Sequence, residues 1–232
     1  MKPFTNTLKI LKFRWETLLQ PFVVETELEQ KVFLDLVTAY STTERFYHNL
    51  EHINQVLEII GQMKSRSLDY ISVQLAAWFH DVIYDPQAPD NEEKSAEYAE
   101  AALHSLKIHQ TIINRVKYLI VTTKNHQALP TDIDNQILLD ADLSILGATK
   151  GEYQTYAQAI RQEYSWMAEV DYQIGRQRVL TQFLQRERLY LTDYAYQNFE
   201  KQAKHNLQLE ANDLSLKIQI SREENDENTS VF

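Results

Sequence analysis

Apolar side chains return three or four positions apart along most of this chain, the spacing that an α-helix gathers onto one face. Leu8, Leu11, Trp15 and Leu18 follow it, as do Phe33, Val37 and Tyr40, and these two stretches read as an N-terminal cover. Ile53, Val56, Leu57, Ile60 and Met63 make a third face. Glycine and proline, which interrupt helices, number only 4 and 5 in 232 residues, against usual shares of about 7% and 5%. Sharp turns are therefore few. The chain reads as all-α, a single-domain helical bundle of roughly nine helices over residues 1–220.

Later elements follow from the same spacing. One helix begins near Ser72 and ends before Pro86 and Pro89. Others are expected over about Asn91 to Leu106, about Thr111 to Lys124, and about Asp134 to Leu146, the last stopped by Gly147. NHQALPTDID between the last two reads as a loop. Tyr153, Tyr156, Ile160 and Tyr164 form a stripe, Val179, Phe183 and Leu184 another, and a long helix runs through Phe199, Ala203 and Leu207. These aromatics read as packing, with a homodimer interface left as an open alternative. SREENDENTSVF, residues 221–232, is an acidic polar tail with little to bury and is expected to be frayed or disordered.

Composition narrows the partners. No cysteine is present, which removes disulfides, thiolate metal sites and thiol nucleophiles. A formal net charge of −10 argues against binding a nucleic-acid polymer, which needs concentrated Lys and Arg. It leaves room for a small anionic substrate, because only the field of a pocket must be positive. No stretch approaches the roughly 20 apolar residues of a membrane span. No membrane partner and a cytoplasmic location are the expectation.

One apolar stretch carries an anomaly. AAWFHDVIYDP, residues 76–86, reads as a buried helix, yet it places His80 and Asp81 side by side. Burying a polar group without a partner is costly, and burying an unpaired charge costs more. Other metal-ligand types stand nearby in sequence: His48 and His52, one helical turn apart in RFYHNLEHI, His126 in the loop, and Asp140 and Asp142 in ILLDADLSILG. Imidazole and carboxylate together suit a divalent first-row metal. Two His and two Asp leave coordination positions for water and substrate. Asp140 and Asp142, two apart on a helix, point in different directions and do not both bind one ion.

The order His52, His80-Asp81, Asp142 resembles the H…HD…D signature of the HD superfamily of metal-dependent phosphohydrolases. HINQV resembles its first motif, AAWFHDV the second and DADLSILG the last. RFYHNLEHI, FHDVIYDP followed by NEEKSAEYA, IRQEY, GRQRVL and residues 190–206 together resemble a group of stand-alone bacterial proteins described as predicted metal-dependent HD phosphohydrolases. That likeness extends over nearly the whole chain.

The resemblance implies an HD-type fold with a metal-binding core at about residues 45–145 and helices 150–215 packed on it. It implies His52, His80, Asp81 and Asp142 as ligands of a divalent metal ion, one of Mn, Fe, Co, Ni, Zn or Mg. The activity implied is hydrolysis of a phosphoester or phosphoanhydride in a small phosphorylated molecule, a nucleotide foremost. Asp81 would orient the water, and Arg45 or Lys124 would offset charge on the phosphate. His48 and His126 would serve a second ion, with a phosphate contact or orientation of a ligand as alternatives for His48 and plain solvent exposure for His126. Glu92, with Glu93, lies where hydrolases of guanosine tetraphosphate carry acidic residues that position water, though those stand closer to the HD pair; the alternative is that Glu92 caps or braces the next helix. Asp140 would replace or support Asp142. Two rival readings stay open: a non-catalytic metal-containing module that binds or senses a nucleotide, and a metal-free bundle whose buried polar groups satisfy one another.

Overall fold

The structure, a computed structural model, describes residues 3–229, and side chains over residues 6–221. Among these residues all regular structure is helical. The α-helices are α1 (Pro3–Leu19), α2 (Thr26–Ala39), α3 (Leu50–Gln62), α4 (Tyr70–Phe79), α5 (Asn91–Ser105), α6 (Gln110–Thr123), α7 (Ile133–Asp142), α8 (Lys150–Glu163), α9 (Glu169–Leu184) and α10 (Asp193–Thr229). Short 3-10 turns occupy Lys64–Arg66 and Leu143–Gly147. The chain divides into two compact units, Met1–Asp142 and Leu143–Phe232, and every expected site residue lies in the first. No described helix is long and apolar enough to cross a membrane.

The first unit is organised around α4. Val73 and Leu75 through Phe79 are fully buried, because this helix is apolar on all sides and must be enclosed by others. It packs against α3, α5, α6 and α7. Trp15 meets the Trp78 ring edge-on at 5.3 Å and Phe33 meets it at 6.2 Å, so α1 and α2 cover it as the N-terminal periodicity predicts. Such edge-to-face pairs add about 0.5–1.5 kcal/mol each to the burial itself.

Three helix boundaries differ from the sequence expectation, and all bear on the candidate ligands. The helix expected to run on toward Pro86 ends at Phe79, with His80 as its C-cap. Its last carbonyls are taken by other donors: Tyr40 Oη–H donates to Trp78 O at 3.0 Å and Val82 N–H to Phe79 O at 3.1 Å. Helix ends must find such partners for their orphan carbonyls. Likewise, His48 and His52 do not share one helix face, because α3 starts only after Asn49. The helix expected to reach Leu146 ends at Asp142 and tightens into a 3-10 turn.

In the second unit, Leu146, Tyr153, Leu180, Leu189, Tyr190, Leu207 and Leu214 form the core, with Tyr156, Phe183 and Phe199 packed against it. The Tyr153 stripe is thus packing. Val179, expected on the inner face of α9, is 42% exposed, and Leu180 takes its place. The face is rotated because Arg176 points inward, where its Nε and Nη2 donate to Glu210 at 2.8 and 3.1 Å. The backbone of α10 stays helical to Thr229, where the polar tail was expected to fray from Ser221; side chains beyond Ser221 and residues 230–232 lie outside the described residues.

Gly147 is required for close approach. A Cβ there would stand 2.5 Å from Phe199 Cβ and 2.8 Å from Phe199 O. Gly147→Ala is expected to cost about 1–3 kcal/mol through overpacking. Gly151→Ala, in open space on α8, is expected to stabilise by about 0.4–1 kcal/mol by restricting the unfolded chain. Urea denaturation midpoints of the two variants should therefore move in opposite directions.

Candidate metal centre

His52 owes its place to a helix start. Asn49 has extended backbone (φ −122°, ψ −173°) and its side-chain oxygen accepts from the N–H groups of Glu51 and His52. This N-cap fixes the first turn of α3 and leaves the His52 ring only 2% exposed. His80 is set by its own helix. Its Nδ1–H donates to Ala77 O at 2.9 Å, a choice of tautomer that leaves the Nε2 lone pair directed away from the backbone. A histidine oriented through its other nitrogen in this way is prepared to ligate. Asp81 follows directly, and Asp142 is the last residue of α7.

These four side chains converge. The Nε2 atoms of His52 and His80 are 3.2 Å apart. Asp81 Oδ2 lies 3.1 Å from His80 Nε2 and 3.6 Å from His52 Nε2. Asp142 Oδ1 lies 3.3 Å from His52 Nε2 and 3.5 Å from His80 Nε2. Ligand atoms of His52, His80 and Asp81 all fall within 4.8 Å of one another. Asp142 is outside that mutual limit, yet its contact with both imidazoles makes it a fourth donor facing the same point. Donors bound about 2.1 Å from one ion at 90–109° are separated by about 3.0–3.4 Å, so the donor set and its spacing fit a divalent cation. The imidazoles are buried, whereas the side chains of Asp81 and Asp142 keep 18% and 14% exposure, so the centre opens toward solvent along its carboxylates.

The charges are mutually dependent. Burial presses the imidazoles toward neutrality, but the facing carboxylates outweigh it: Asp142 and Asp81 hold His52 above its ordinary pKa, and the same pair holds His80 well above. Burial would raise the carboxylates, yet His80 and His52 keep Asp81 well below the usual range. His126, His52 and His80 do the same for Asp142.

The remaining expected residues are distributed around this cluster. His126 adopts φ 48° in the turn after α6 and its Nε2 lies 3.1 Å from Asp142 Oδ2, so it adjoins the centre rather than solvent alone. His48 stacks on Tyr84 with centroids 4.2 Å apart and stands 5.7 Å from the His52 ring. Asp140 is buried in α7, and it is Asp142 that faces the imidazoles. Arg45 donates to backbone carbonyls, and Lys124 donates to Glu93 at 2.6 Å and to Pro89 O at 2.7 Å. Glu92 occupies the first turn of α5 beside Glu93 and has no hydrogen bond or ion pair to the cluster among the described residues. Asn49, Tyr40 and Tyr84 support the site without having been singled out from sequence. Asn49 had a readable signal, a capping residue just before an apolar helical face; the two tyrosines had none beyond their aromatic character. No family model, curated protein or solved structure matches this chain.

The pKa directions set a pH dependence for the protein held in chelator. The raised imidazoles stabilise fully below about pH 6.5, the unfolded value, and lose that contribution as pH rises through their folded pKa values. The depressed carboxylates stabilise above about pH 3.9 and lose it as pH falls through theirs. The melting temperature of the protein in chelator should fall as pH climbs above about 6.5. Asp142→Asn, with one opposing charge deleted, should fall less over the same interval; equal slopes would mean that the imidazoles are neutral throughout.

Proposed function

We propose that this protein is a metal-dependent phosphohydrolase of the HD type, acting on a small phosphorylated molecule, a nucleotide foremost. The observation that carries the reading is the convergence of His52, His80, Asp81 and Asp142 on one partly open centre. The order of those residues, which resembles the HD signature, supplies the reaction class. His52, His80, Asp81 and Asp142 would hold the divalent ion, whether Mn, Fe, Co, Ni, Zn or Mg. Bound there, the ion would lower the pKa of water toward neutrality and polarise a phosphoryl oxygen.

The chain's own groups complete the chemistry. The Asp81 carboxylate, held ionised by the imidazoles and partly exposed, is assigned to orient the attacking water by accepting its hydrogen bond. The Asp142 carboxylate holds His126 at the rim of the centre, where an imidazole can donate to a phosphate oxygen. Lys124, two positions earlier, is assigned to the phosphate charge; its link to Glu93 is a partly exposed ion pair, a kind worth little and readily exchanged for a stronger anion. Preorganised donors of this kind lower the barrier where charge develops.

Elemental analysis of the purified protein beside Asp81→Ala, followed by a nucleotide screen with Mn²⁺, Co²⁺, Ni²⁺ and Mg²⁺, tests the reading. The parent should contain near-stoichiometric metal, show a metal-dependent rise in melting temperature and turn over at least one nucleotide class, and the variant should lose all three. Metal and thermal stabilisation without turnover would select the nucleotide-sensing module. An absence of metal after reconstitution would select a bundle whose polar groups satisfy one another.

A further inference from the structure

We propose that Arg45 is a positioning residue: its guanidinium clamps the turn that leads into His52 to the turn that carries His80 and Asp81, and so sets the spacing of the metal centre. Arg45 Nη1 donates to His48 O at 3.0 Å and to Asp81 O at 2.6 Å, and Nη2 donates to Val82 O at 2.9 Å. One side chain thus bridges segments 36 and 37 residues apart in sequence. On one flank its Cζ lies 4.9 Å from the Tyr40 ring centroid, and on another 5.5 Å from that of Tyr84, which itself stacks on His48. The Tyr40 hydroxyl also donates to Trp78 O, two residues before His80. Arg45 and Tyr40 therefore tie down the end of α4 together.

The chemistry selects arginine. A planar guanidinium donates along fixed, diverging directions and stacks on aromatic faces, whereas a lysine ammonium is a compact charge at the end of a flexible stem. Its positive charge also lies beyond the C-terminus of α4, where the helix dipole and the turn carbonyls favour a cation. With three N–H bonds committed to backbone oxygens, the guanidinium is built into the protein rather than held out to a phosphate. Its influence on the reaction would pass through the ligand-bearing turns.

This inference rests on the metal-centre reading for its functional consequence, and a metal-free measurement tests the clamp separately. Arg45→Lys and Arg45→Ala would be compared with the parent by amide hydrogen exchange in chelator, by Co²⁺ titration of the apoprotein, and by KM and kcat on any substrate found. Expected for Arg45→Lys is a joint loss of protection in residues 46–52 and 79–84, with the remaining helices unchanged, and a Co²⁺ affinity weakened about 10–100-fold, as for other groups that orient metal ligands. Methylguanidinium should restore part of the affinity in Arg45→Ala. Unchanged exchange and Co²⁺ affinity with a raised KM would overturn the clamp and return Arg45 to phosphate binding, and so would loss of protection confined to residues 46–52. A parent protein that takes up no Co²⁺ sinks the metal-centre reading instead, while the exchange data still decide the clamp. Arg45→Lys retains the charge and keeps the test valid should Arg45→Ala fail to fold.

Discussion

Two imidazoles and two carboxylates are brought together at the end of the most apolar helix of the chain, and the first unit depends on how their charges are met. An isolated carboxylate in such surroundings would be strongly destabilising. Here each carboxylate touches both imidazoles, so the low dielectric that makes burial expensive also strengthens every attraction within the group. The exposed edges of Asp81 and Asp142 limit the desolvation further. Removing any one member leaves the others with uncompensated charge, so the four residues act as a unit and not as separable contributions.

The surrounding helices are arranged to make that unit rigid. α4 supplies the buried axis, and the carbonyls at its end are each occupied: Ala77 O by the His80 ring, Trp78 O by Tyr40 and Phe79 O by Val82 N–H. The turn before His52 and the turn that carries His80 and Asp81 are joined by Arg45, and the start of α3 is fixed by Asn49. A ligand displaced by even a fraction of an ångström loses much of its value in an electrostatic site. The site therefore needs its second layer of backbone hydrogen bonds as much as its four converging side chains.

Sequence periodicity was a sound guide to the helices because burying an apolar stripe is what stabilises them. It located α3, α5 and α6 closely, whereas the set His52, His80, Asp81 and Asp142 came from the resemblance to the HD signature, and these four side chains do converge. It could not locate the end of α4, because the residues that take its carbonyls come from Tyr40 and the turn beyond, not from any local breaker. Pro86 marked a later position, beyond the true stop. Val179 was assigned inward for a related reason. An apolar residue outcompetes an arginine in any reading of hydropathy, yet Arg176 finds Glu210 on α10 and turns the face of α9 toward it. Arg45 was recognised only as a cation, since a hydrogen bond to backbone carbonyls leaves no trace in sequence.

The second unit supplies the contrast that gives the centre its meaning. Arg176 is almost wholly buried, but its Nε and Nη2 meet the two oxygens of Glu210 and its Nη1 meets the Tyr156 hydroxyl, so donors and acceptors match within the protein. A bidentate pair of this kind is complete without a ligand. The cluster in the first unit is not matched in the same way: one nitrogen of His80 is spent on Ala77 O, and the other faces His52 Nε2 and two carboxylate oxygens, more acceptors than a single N–H on a neutral His52 can serve. Positive charge at the common point resolves that surplus, whether protons on the imidazoles or a single cation among all four. Protons serve at low pH and become harder to retain as pH rises, whereas a divalent cation serves where the imidazoles are neutral. The surplus of acceptors, more than the mere presence of histidine in a core, is the physical ground for reading this cluster as a metal centre and the Arg176 cluster as packing.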